Sequence, residues 1–307
     1  MTILVVGSTG TLGSLAAEAA LAEGHAVAAM VRDRQSPAAV RLRAAGAKLC
    51  VADLKDTKQI DMAVRGVSAV IITATATLSR REGDSLEAVD GRGLQTLITA
   101  CIQNGVHHVV LVSFSRGIDA DTPLSRFKRA AERRLENSAM ECTILLPSYF
   151  PEKFMTPLVG FDVNAGRVRI YGDGTRPISY VATSDVARLA ARCAAEPLGK
   201  GAIPMGGPKT YSQLEVAQLA EHMTGKRLVL DYMPLDHIES AMSSSGDPLK
   251  QSHLGLYRGL AIGDSLSADW AGEFGMTPTP LQACVERIWG LNRNGSISGE
   301  TTNRSLS

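Results

Sequence analysis

The chain has 307 residues, of which 45% are hydrophobic and 21% charged, as expected for a globular protein with a substantial core. Its 32 lysines and arginines balance 31 aspartates and glutamates, which excludes a protein that binds nucleic acid or an acidic membrane through bulk charge. Five scattered cysteines without a CxxC pair indicate neither a zinc site nor a disulfide framework. We therefore expect a soluble cytoplasmic monomer or homodimer that acts on a small molecule, without a metal, nucleic-acid or membrane partner.

Short apolar runs alternate with helical periodicity through the first half of the chain. The runs predict buried strands at Thr2–Val6, Ala26–Val31, Lys48–Val51, Ala69–Thr73, His108–Ser113 and Cys142–Leu146. The predicted helices between them include Leu12–Glu23, Ala38–Ala45 and Leu86–Asn104. Short apolar strands joined by helices form parallel βαβ units. Residues 1–150 are therefore predicted to form an α/β domain with a doubly wound parallel sheet of the Rossmann type.

The alternation ends after Pro147, and residues 151–291 are predicted to form a smaller α+β region that binds substrate. Its chain is expected to return to the first sheet around residues 177–206. The segment GRVRIYGDGTRPISYV predicts two strands around a Gly-Asp-Gly turn, and Ala202–Met205 is expected to pair with Arg227–Tyr232. The Ser- and Gly-rich segment Ser243–Ser267 predicts a mobile lid, and the polar residues 292–307 predict a disordered tail.

A glycine-rich turn connects the first strand to the first helix and reads Gly7-Ser8-Thr9-Gly10-Thr11-Leu12-Gly13. Such a turn lets the backbone approach a pyrophosphate, and the helix that follows offers N–H donors and a positive dipole end. A plain connecting turn is the alternative, but the position after the first strand of a βα array favours a dinucleotide site. The predicted cofactor-binding residues here are Gly7, Thr9, Gly10, Thr11, Leu12 and Gly13.

The end of the second strand bears on the choice of dinucleotide. An arginine at this place accommodates the 2′-phosphate of NADP, whereas an acid binds the ribose 2′-hydroxyl of NAD. Here Arg32 stands at the strand end and Asp33 follows it. Arg32 favours NADP(H), and Asp33 keeps NAD(H) possible.

Several further segments recur in a known family. They are MVRD, VADLKD, GVSAVI, VDGRGLQTLITAC, GVHHVVLVS, FKRAAERRLENSAMECTILLPSYF, YVATSDVARLAA and MGGPKTYSQLEVAQLAEHMTGK. Together with VVGSTGTLG, their order and spacing resemble the NmrA-like group of atypical short-chain dehydrogenases/reductases, from Met1 to about Ile288. The resemblance implies a Rossmann domain, a small C-terminal domain and a cofactor cleft between them. Members of this group include NADP(H)-dependent reductases of quinones, dyes and phenolic metabolites, and dinucleotide-binding regulators without known turnover.

The resemblance also implies further cofactor contacts, residue by residue. Asp53 and Leu54 would flank the adenine, although Asp53 could instead cap the next helix. Thr73, Ala74 and Thr75 would line the ribose and pyrophosphate. Ser113 and the segment Pro147-Ser148-Tyr149-Phe150 would border the nicotinamide. All of these residues follow strands, and ligands of open α/β sheets bind outside the carboxyl ends of the strands.

The catalytic candidates implied by the resemblance are Lys128, Tyr149 and Ser113. Lys128 stands at the lysine position of the Tyr-x-x-x-Lys pair of typical short-chain dehydrogenases, but Leu124 replaces the tyrosine, a departure that is usual in the NmrA-like group. Lys128 could hold the ribose or act as a general acid, or it could form only a surface ion pair with Glu132. Tyr149 could supply a replacement hydroxyl or could be a packing residue.

These residues favour two alternative functions. The first is an NADPH-dependent oxidoreductase that transfers hydride to a small electrophile such as a quinone or a conjugated carbonyl. The second is a non-catalytic NADP(H)-binding redox sensor. A sugar-nucleotide epimerase is weakened because the tyrosine is missing. A metal pair at His107 and His108 is not expected, because adjacent strand residues point to opposite faces.

Overall fold

The structure is a computed structural model that describes residues 1–118, 120–196 and 201–291. The tail predicted at 292–307 lies outside the described residues. The strands are β1 (Thr2–Val6), β2 (Ala26–Val31), β3 (Lys48–Val51), β4 (Ala69–Ile72), β5 (His108–Val112), β6 (Glu141–Pro147), β7 (Phe161–Asp162), β8 (Arg167–Tyr171), β9 (Gly201–Met205) and β10 (Val229–Met233). The six strands predicted in the first half are confirmed, with ends that differ by at most one residue.

The helices cover both faces of the main sheet and much of the second half. They are α1 (Thr11–Ala22), α2 (Pro37–Ala44), α3 (Thr57–Val64), α4 (Leu94–Gln103), α5 (Pro123–Glu136), α6 (Pro151–Phe154), α7 (Thr183–Ala195), α8 (Gln213–Thr224), α9 (Leu235–Ser244), α10 (Pro248–Ile262), α11 (Asp269–Glu273) and α12 (Leu281–Ile288). A π-helical segment, Glu87–Gly93, precedes α4 within the single helix predicted there. No helix in the described ranges is both long and apolar enough to cross a bilayer.

The main sheet has seven parallel strands in the order β3-β2-β1-β4-β5-β6-β9. The strand order reverses between β1 and β4, where an open α/β sheet has its binding crevice. Helices α1, α2, α7 and α11 bury one face, and α3, α4 and α5 bury the other. Strands covered on both faces must be apolar throughout, which explains runs such as ILVV and HVVLV. The predicted doubly wound α/β fold is confirmed.

The second sheet has three strands in the order β10-β8-β7, with β8 parallel to β10 and antiparallel to β7. Two predicted pairings are therefore wrong. β8 does not form a hairpin across the Gly-Asp-Gly turn, because Ile178 instead bridges Tyr211 and Asp264. β9 joins β6 in the main sheet, whereas β10 joins β8. Local patterns identified these strands but could not identify partners distant in sequence.

The segment predicted as a mobile lid contains a packed helix, so that prediction is wrong. α10 spans most of it, and a Cβ at Gly255 would lie 2.7 Å from the Thr122 Cγ2. A Cβ at Gly259 would lie 2.1 Å from the Tyr149 hydroxyl. The glycines that suggested mobility instead let α10 pack closely against the loop before α5 and against Tyr149.

Candidate active site

The glycine-rich turn lies in close contact with the end of β4. Gly7 has a φ of +86°, and a Cβ there would lie 2.7 Å from the Ala74 nitrogen. A Cβ at Gly13 would lie 2.2 Å from the Gly7 carbonyl oxygen. The Gly10 N–H donates to that same oxygen at 3.0 Å, while Thr9 and Gly10 remain exposed. Only glycine fits the inner positions, and the outer side of the turn is open to a ligand.

The first turn of α1 is suited to an anion. Among the described residues no side chain caps it, and it contains no acid. Leu12 packs partly against the core, and Thr11 is exposed. The Lys153 ammonium, carried by α6, donates to the Thr11 Oγ1 at 3.2 Å, and burial lowers the pKa of Lys153. A cation therefore stands beside the free N–H groups of α1, which the sequence did not indicate.

Arg32 is not isolated at the end of β2. Its guanidinium contacts the Asp84 carboxylate at 2.5 Å, and the Lys55 ammonium contacts the other oxygen of that carboxylate. The Ser79 hydroxyl also donates to Asp84. The Asp84 side chain is only 2% exposed, while Arg32 and Lys55 are about one third exposed. Two cations from the ends of β2 and β3 thus share one acid from the loop after β4.

This cluster makes stability depend on pH. Burial opposes ionisation of Asp84, but hydrogen bonds from Lys55, Ser79 and Arg32 outweigh it and lower its pKa to about 2. A lowered folded-state pKa stabilises the fold above the unfolded pKa and loses that stabilisation as the pH falls through the folded pKa. We expect the stability advantage of wild type over Asp84→Asn to be full near pH ~5 and about half lost by pH ~3. Urea unfolding of both proteins across that range measures it, and an unchanged difference would contradict the ion cluster.

Asp53 and Leu54 follow β3. The Asp53 carboxylate accepts the Lys55 N–H at 2.9 Å and lies 3.4 Å from the Lys55 ammonium. Helix α3 is capped by Asp56, which accepts the N–H groups of Lys58 and Gln59, so Asp53 is not the helix cap. Leu54 is buried against the core. Asp53 is thus placed to orient Lys55 beside Asp84.

The residues after β4 have different roles. The Thr73 hydroxyl donates to the Val6 carbonyl at 3.1 Å and so fastens the end of β4 to the glycine-rich turn. The Ala74 carbonyl accepts from Lys128, and Thr75 is exposed. Of the three predicted cofactor contacts, Thr75 is the most open and Thr73 supports the turn from within.

Lys128 is buried and pairs with an acid that the sequence analysis missed. Its Nζ lies 3.5 Å from the Asp90 Oδ1 and 3.5 Å from the Ala74 carbonyl oxygen. Asp90 belongs to the π-helical segment and is fully buried, and its Oδ2 accepts the Ala76 N–H at 2.8 Å. The expected alternative, a surface ion pair with Glu132, is therefore wrong. Lys128 is fixed at the carboxyl end of β4 by a buried charge pair.

Ser113 directly follows β5, and its hydroxyl donates to the buried Glu132 carboxylate. Arg116 and Arg129 also bind that carboxylate, and the Arg129 guanidinium stacks 4.6 Å from the centre of the Phe114 ring. Arg129 is therefore part of a packed polar cluster. In this structure the Ser113 hydroxyl is used to bind Glu132.

Of the residues after β6, Pro147 is buried at the strand end, Phe150 is half-buried, and Tyr149 is almost fully buried. The Tyr149 hydroxyl donates to the Leu256 carbonyl of α10 at 2.7 Å, and burial raises the pKa of Tyr149 well above its usual value. Its ring packs edge-on against Phe154 at 4.6 Å. These contacts favour the packing alternative for Tyr149 over a proton donor.

A Tyr149→Phe variant separates these two roles. We expect it to lose about 1 kcal/mol of unfolding free energy, because the buried hydrogen bond from Tyr149 to the Leu256 carbonyl is lost. We expect turnover of any substrate to remain within about twofold of wild type. Chemical unfolding and steady-state kinetics on one preparation measure both quantities. A large fall in kcat with unchanged stability would restore Tyr149 as the acid.

A buried polar cluster lies beyond the ends of β5 and β6. The Ser115 hydroxyl donates to the Asp264 carboxylate at 2.8 Å. Burial raises the pKa of Asp264, and the hydrogen bond from Ser115 opposes that rise. Separately, residues 1–118, 120–196 and 201–291 contain no group of three or more His, Cys, Asp or Glu side chains able to hold a metal. His108 instead hydrogen-bonds to Thr143 at 2.9 Å.

Residues 1–251, which include all seven strands of the main sheet, match the model of the NmrA-like family. The chain belongs to the NmrA-like family. The resemblance drawn from the sequence motifs is thereby confirmed.

The proteins that resemble this chain in sequence or in fold carry different functional names. The chain is 28% identical over 309 residues to the photosystem II assembly factor Ycf39 of Synechocystis, covering 94% of this chain and 91% of that one. It is 27% identical over 256 residues to the NAD(P)H azoreductase of Xenophilus azovorans, covering 80% and 82%. The fold is similar to an NADPH complex of a quinone oxidoreductase from Escherichia coli, with a TM-score of 0.73, 22% identity and coverage of 94% and 99%.

Four charged residues of the candidate site were not predicted from the sequence: Lys55, Asp84, Asp90 and Lys153. A signal existed for Asp90, because it interrupts the apolar stripe of Leu86, Val89 and Leu94, and an acid at a buried helical position requires a partner. The other three lie in loops or in the four-residue helix α6, where no hydrophobic periodicity indicates which way a side chain points.

Proposed function

We propose that this protein binds NADP(H) along the carboxyl edge of the main sheet and transfers hydride to a small electrophile such as a quinone or a conjugated carbonyl. One observation carries the proposal: a buried lysine and a glycine cradle meet at the crevice where the strand order reverses. Lys128 contacts the carbonyl of Ala74, and a Cβ at Gly7 would collide with the nitrogen of that same residue. Ala74 thus contacts both the lysine expected at the nicotinamide end of the site and the glycine turn expected at its pyrophosphate end.

The residues present fit the dinucleotide at three points. The open side of the turn at Gly10, with the uncapped start of α1, accommodates the pyrophosphate, and Lys153 adds a cation there. Arg32 and Lys55 accommodate the 2′-phosphate. An ammonium has three N–H donors, so Lys128 can serve the ribose besides Asp90 and Ala74.

The bound nicotinamide supplies the hydride, and the protein's own residues supply position and charge. The Asp90 carboxylate holds the Lys128 ammonium in place, and Lys128 in turn orients the ribose and provides a proton donor near the reacting carbon. The names of the azoreductase and the quinone oxidoreductase support an electrophilic, conjugated substrate. The aromatic ring of Phe114, directly after Ser113, favours a flat apolar substrate in the same way.

Oxidation of NADPH with a panel of quinones and conjugated carbonyls tests the proposal, with wild type beside Lys128→Met. We expect kcat to fall by roughly 100-fold in the variant, and the affinity for NADPH to fall by a smaller factor, about tenfold, from the lost contact with the ribose. An equal loss of NADPH affinity would make Lys128 a ribose anchor alone. Chemical unfolding of the variant checks that the fold survives.

A second function is favoured by one specific comparison. The relative that aligns with 94% of this chain is named as an assembly factor, and Leu124 stands where typical short-chain dehydrogenases have their catalytic tyrosine. We propose as the alternative a non-catalytic NADP(H)-binding protein whose partner affinity follows the redox state of the cofactor. Tight NADPH binding without turnover on any substrate of the panel would favour it. Turnover that depends on Lys128 would exclude it.

A further inference from the structure

The loop between β4 and the π-helical segment places an acid where a phosphate is expected. Ala76 and Leu86 are buried and anchor its two ends, while Arg80, Arg81 and Gly83 between them are exposed. We name residues 77–85 the Asp84 loop. The Asp84 carboxylate reaches back from this loop to the cations at the ends of β2 and β3. The Asp84 carboxylate therefore fastens the far end of the loop over the adenosine end of the crevice, while the His253 Nε2 lies 3.1 Å from the Thr77 carbonyl oxygen at its start.

The contacts of Asp84 match those that a phosphate would make. Arg32 and Lys55 approach different oxygens of the carboxylate, and the Ser79 hydroxyl completes the set. A phosphate monoester carries about −1.5 to −2 charge and three acceptor oxygens, against one negative charge and two oxygens for a carboxylate. Arginine binds phosphate through a planar fork of donors, so the exchange favours the phosphate.

We propose that Asp84 is a cofactor-specificity residue that holds the 2′-phosphate subsite closed, and that the 2′-phosphate of NADP(H) displaces it and releases the Asp84 loop. This inference rests on the proposed binding of NADP(H). NAD(H) lacks the 2′-phosphate and leaves the Arg32–Asp84–Lys55 contacts intact. The complexes with the two dinucleotides should thus differ in the conformation of the Asp84 loop as well as in affinity.

Limited trypsin digestion reads the loop directly, because Arg80 and Arg81 provide cleavage sites within it. Full-length protein is digested alone, with saturating NADP⁺ or with saturating NAD⁺, and cleavage at these two residues is followed by mass spectrometry. We expect NADP⁺ to accelerate this cleavage and NAD⁺ to leave it unchanged. Asp84→Asn should be cleaved roughly tenfold faster than wild type without nucleotide, since it loses charge-assisted bonds. Glu82→Gln removes an equal charge from the same loop and should behave as wild type.

Binding measured by calorimetry completes the test. Asp84→Asn should bind NADP⁺ roughly tenfold more tightly than wild type and should bind NAD⁺ with unchanged affinity. An unchanged ratio of the two affinities, or protection of the loop by NADP⁺, would overturn the inference. Weaker NAD⁺ binding by the variant would also overturn it, because Asp84 would then serve the ribose 2′-hydroxyl. Failure of wild type and variant to bind either dinucleotide would instead refute the proposed function, and the inference with it.

Discussion

Replacing Gly13 with alanine is expected to weaken NADPH binding by roughly 100-fold, the scale on which a displacement of about 1 Å acts in a positioned site. The new Cβ would lie 2.2 Å from the Gly7 carbonyl oxygen and 2.7 Å from the Thr73 Oγ1. Neither neighbour can yield freely, because Gly7 is packed against Ala74 and Thr73 is bonded to Val6. The turn must therefore lift from the end of β4. Fluorescence titration with NADPH measures the effect.

Gly272→Ala is the matched control, since nothing lies within 4 Å of a Cβ there. Alanine within α11 should stabilise the helix by up to about 1 kcal/mol and leave NADPH affinity unchanged. Gly13→Ala should in contrast lose about 1–3 kcal/mol of unfolding free energy through overpacking. If Gly13→Ala keeps NADPH affinity within about threefold of the control, the turn is not the pyrophosphate cradle.

The Asp90→Asn variant is expected to lose about 3–5 kcal/mol of unfolding free energy, because Lys128 is left as a buried charge without a counter-charge. Both side chains are 6% exposed or less, so water cannot take the place of the carboxylate. Glu87→Gln, in the same π-helical segment, breaks an ion pair with Arg92 whose side chains are more than 60% exposed. That control should change stability by less than about 1 kcal/mol. Urea unfolding measures all three proteins.

The double variant Asp90→Asn, Lys128→Met tests whether the unpaired charge of Lys128 causes this loss of stability. It removes both charges, so it should lose less unfolding free energy than the sum of the two single variants. Strict additivity would mean that the two side chains stabilise the fold independently. The structure would then give no reason to treat Asp90 as the residue that positions Lys128.

The first half of the fold was predictable because its signals are local. A strand buried on both faces must be apolar throughout, so Thr2–Val6 and His108–Val112 stand out from the sequence alone. Partner choice in the second half depends on contacts distant in sequence. The bridge from Ile178 to Asp264 and the pairing of β9 with β6 leave no periodic pattern to detect.

The candidate site was predictable in its outline and unpredictable in its charge pairs. The glycine spacing and Arg32 locate the crevice because their chemistry is local to one turn or one strand end. Glu132 was matched with Lys128 on helical spacing, yet it pairs with Arg129 and Arg116, while Lys128 faces Asp90. Spacing shows which residues share a helix face, but not which of them is buried or what stands opposite.

The pairing of β9 with β6 has a consequence for how the protein is made. Residues 201–205 complete the edge of a sheet that begins at residue 2, and α7 covers the same sheet beside α1. A ribosome that has released only the first 150 residues has therefore exposed a sheet without its last strand and without part of its cover. Such an intermediate presents an open edge and apolar surface for pairing with other chains. The first half of the fold thus depends, during translation, on strand β9, which is synthesised only after residues 151–200.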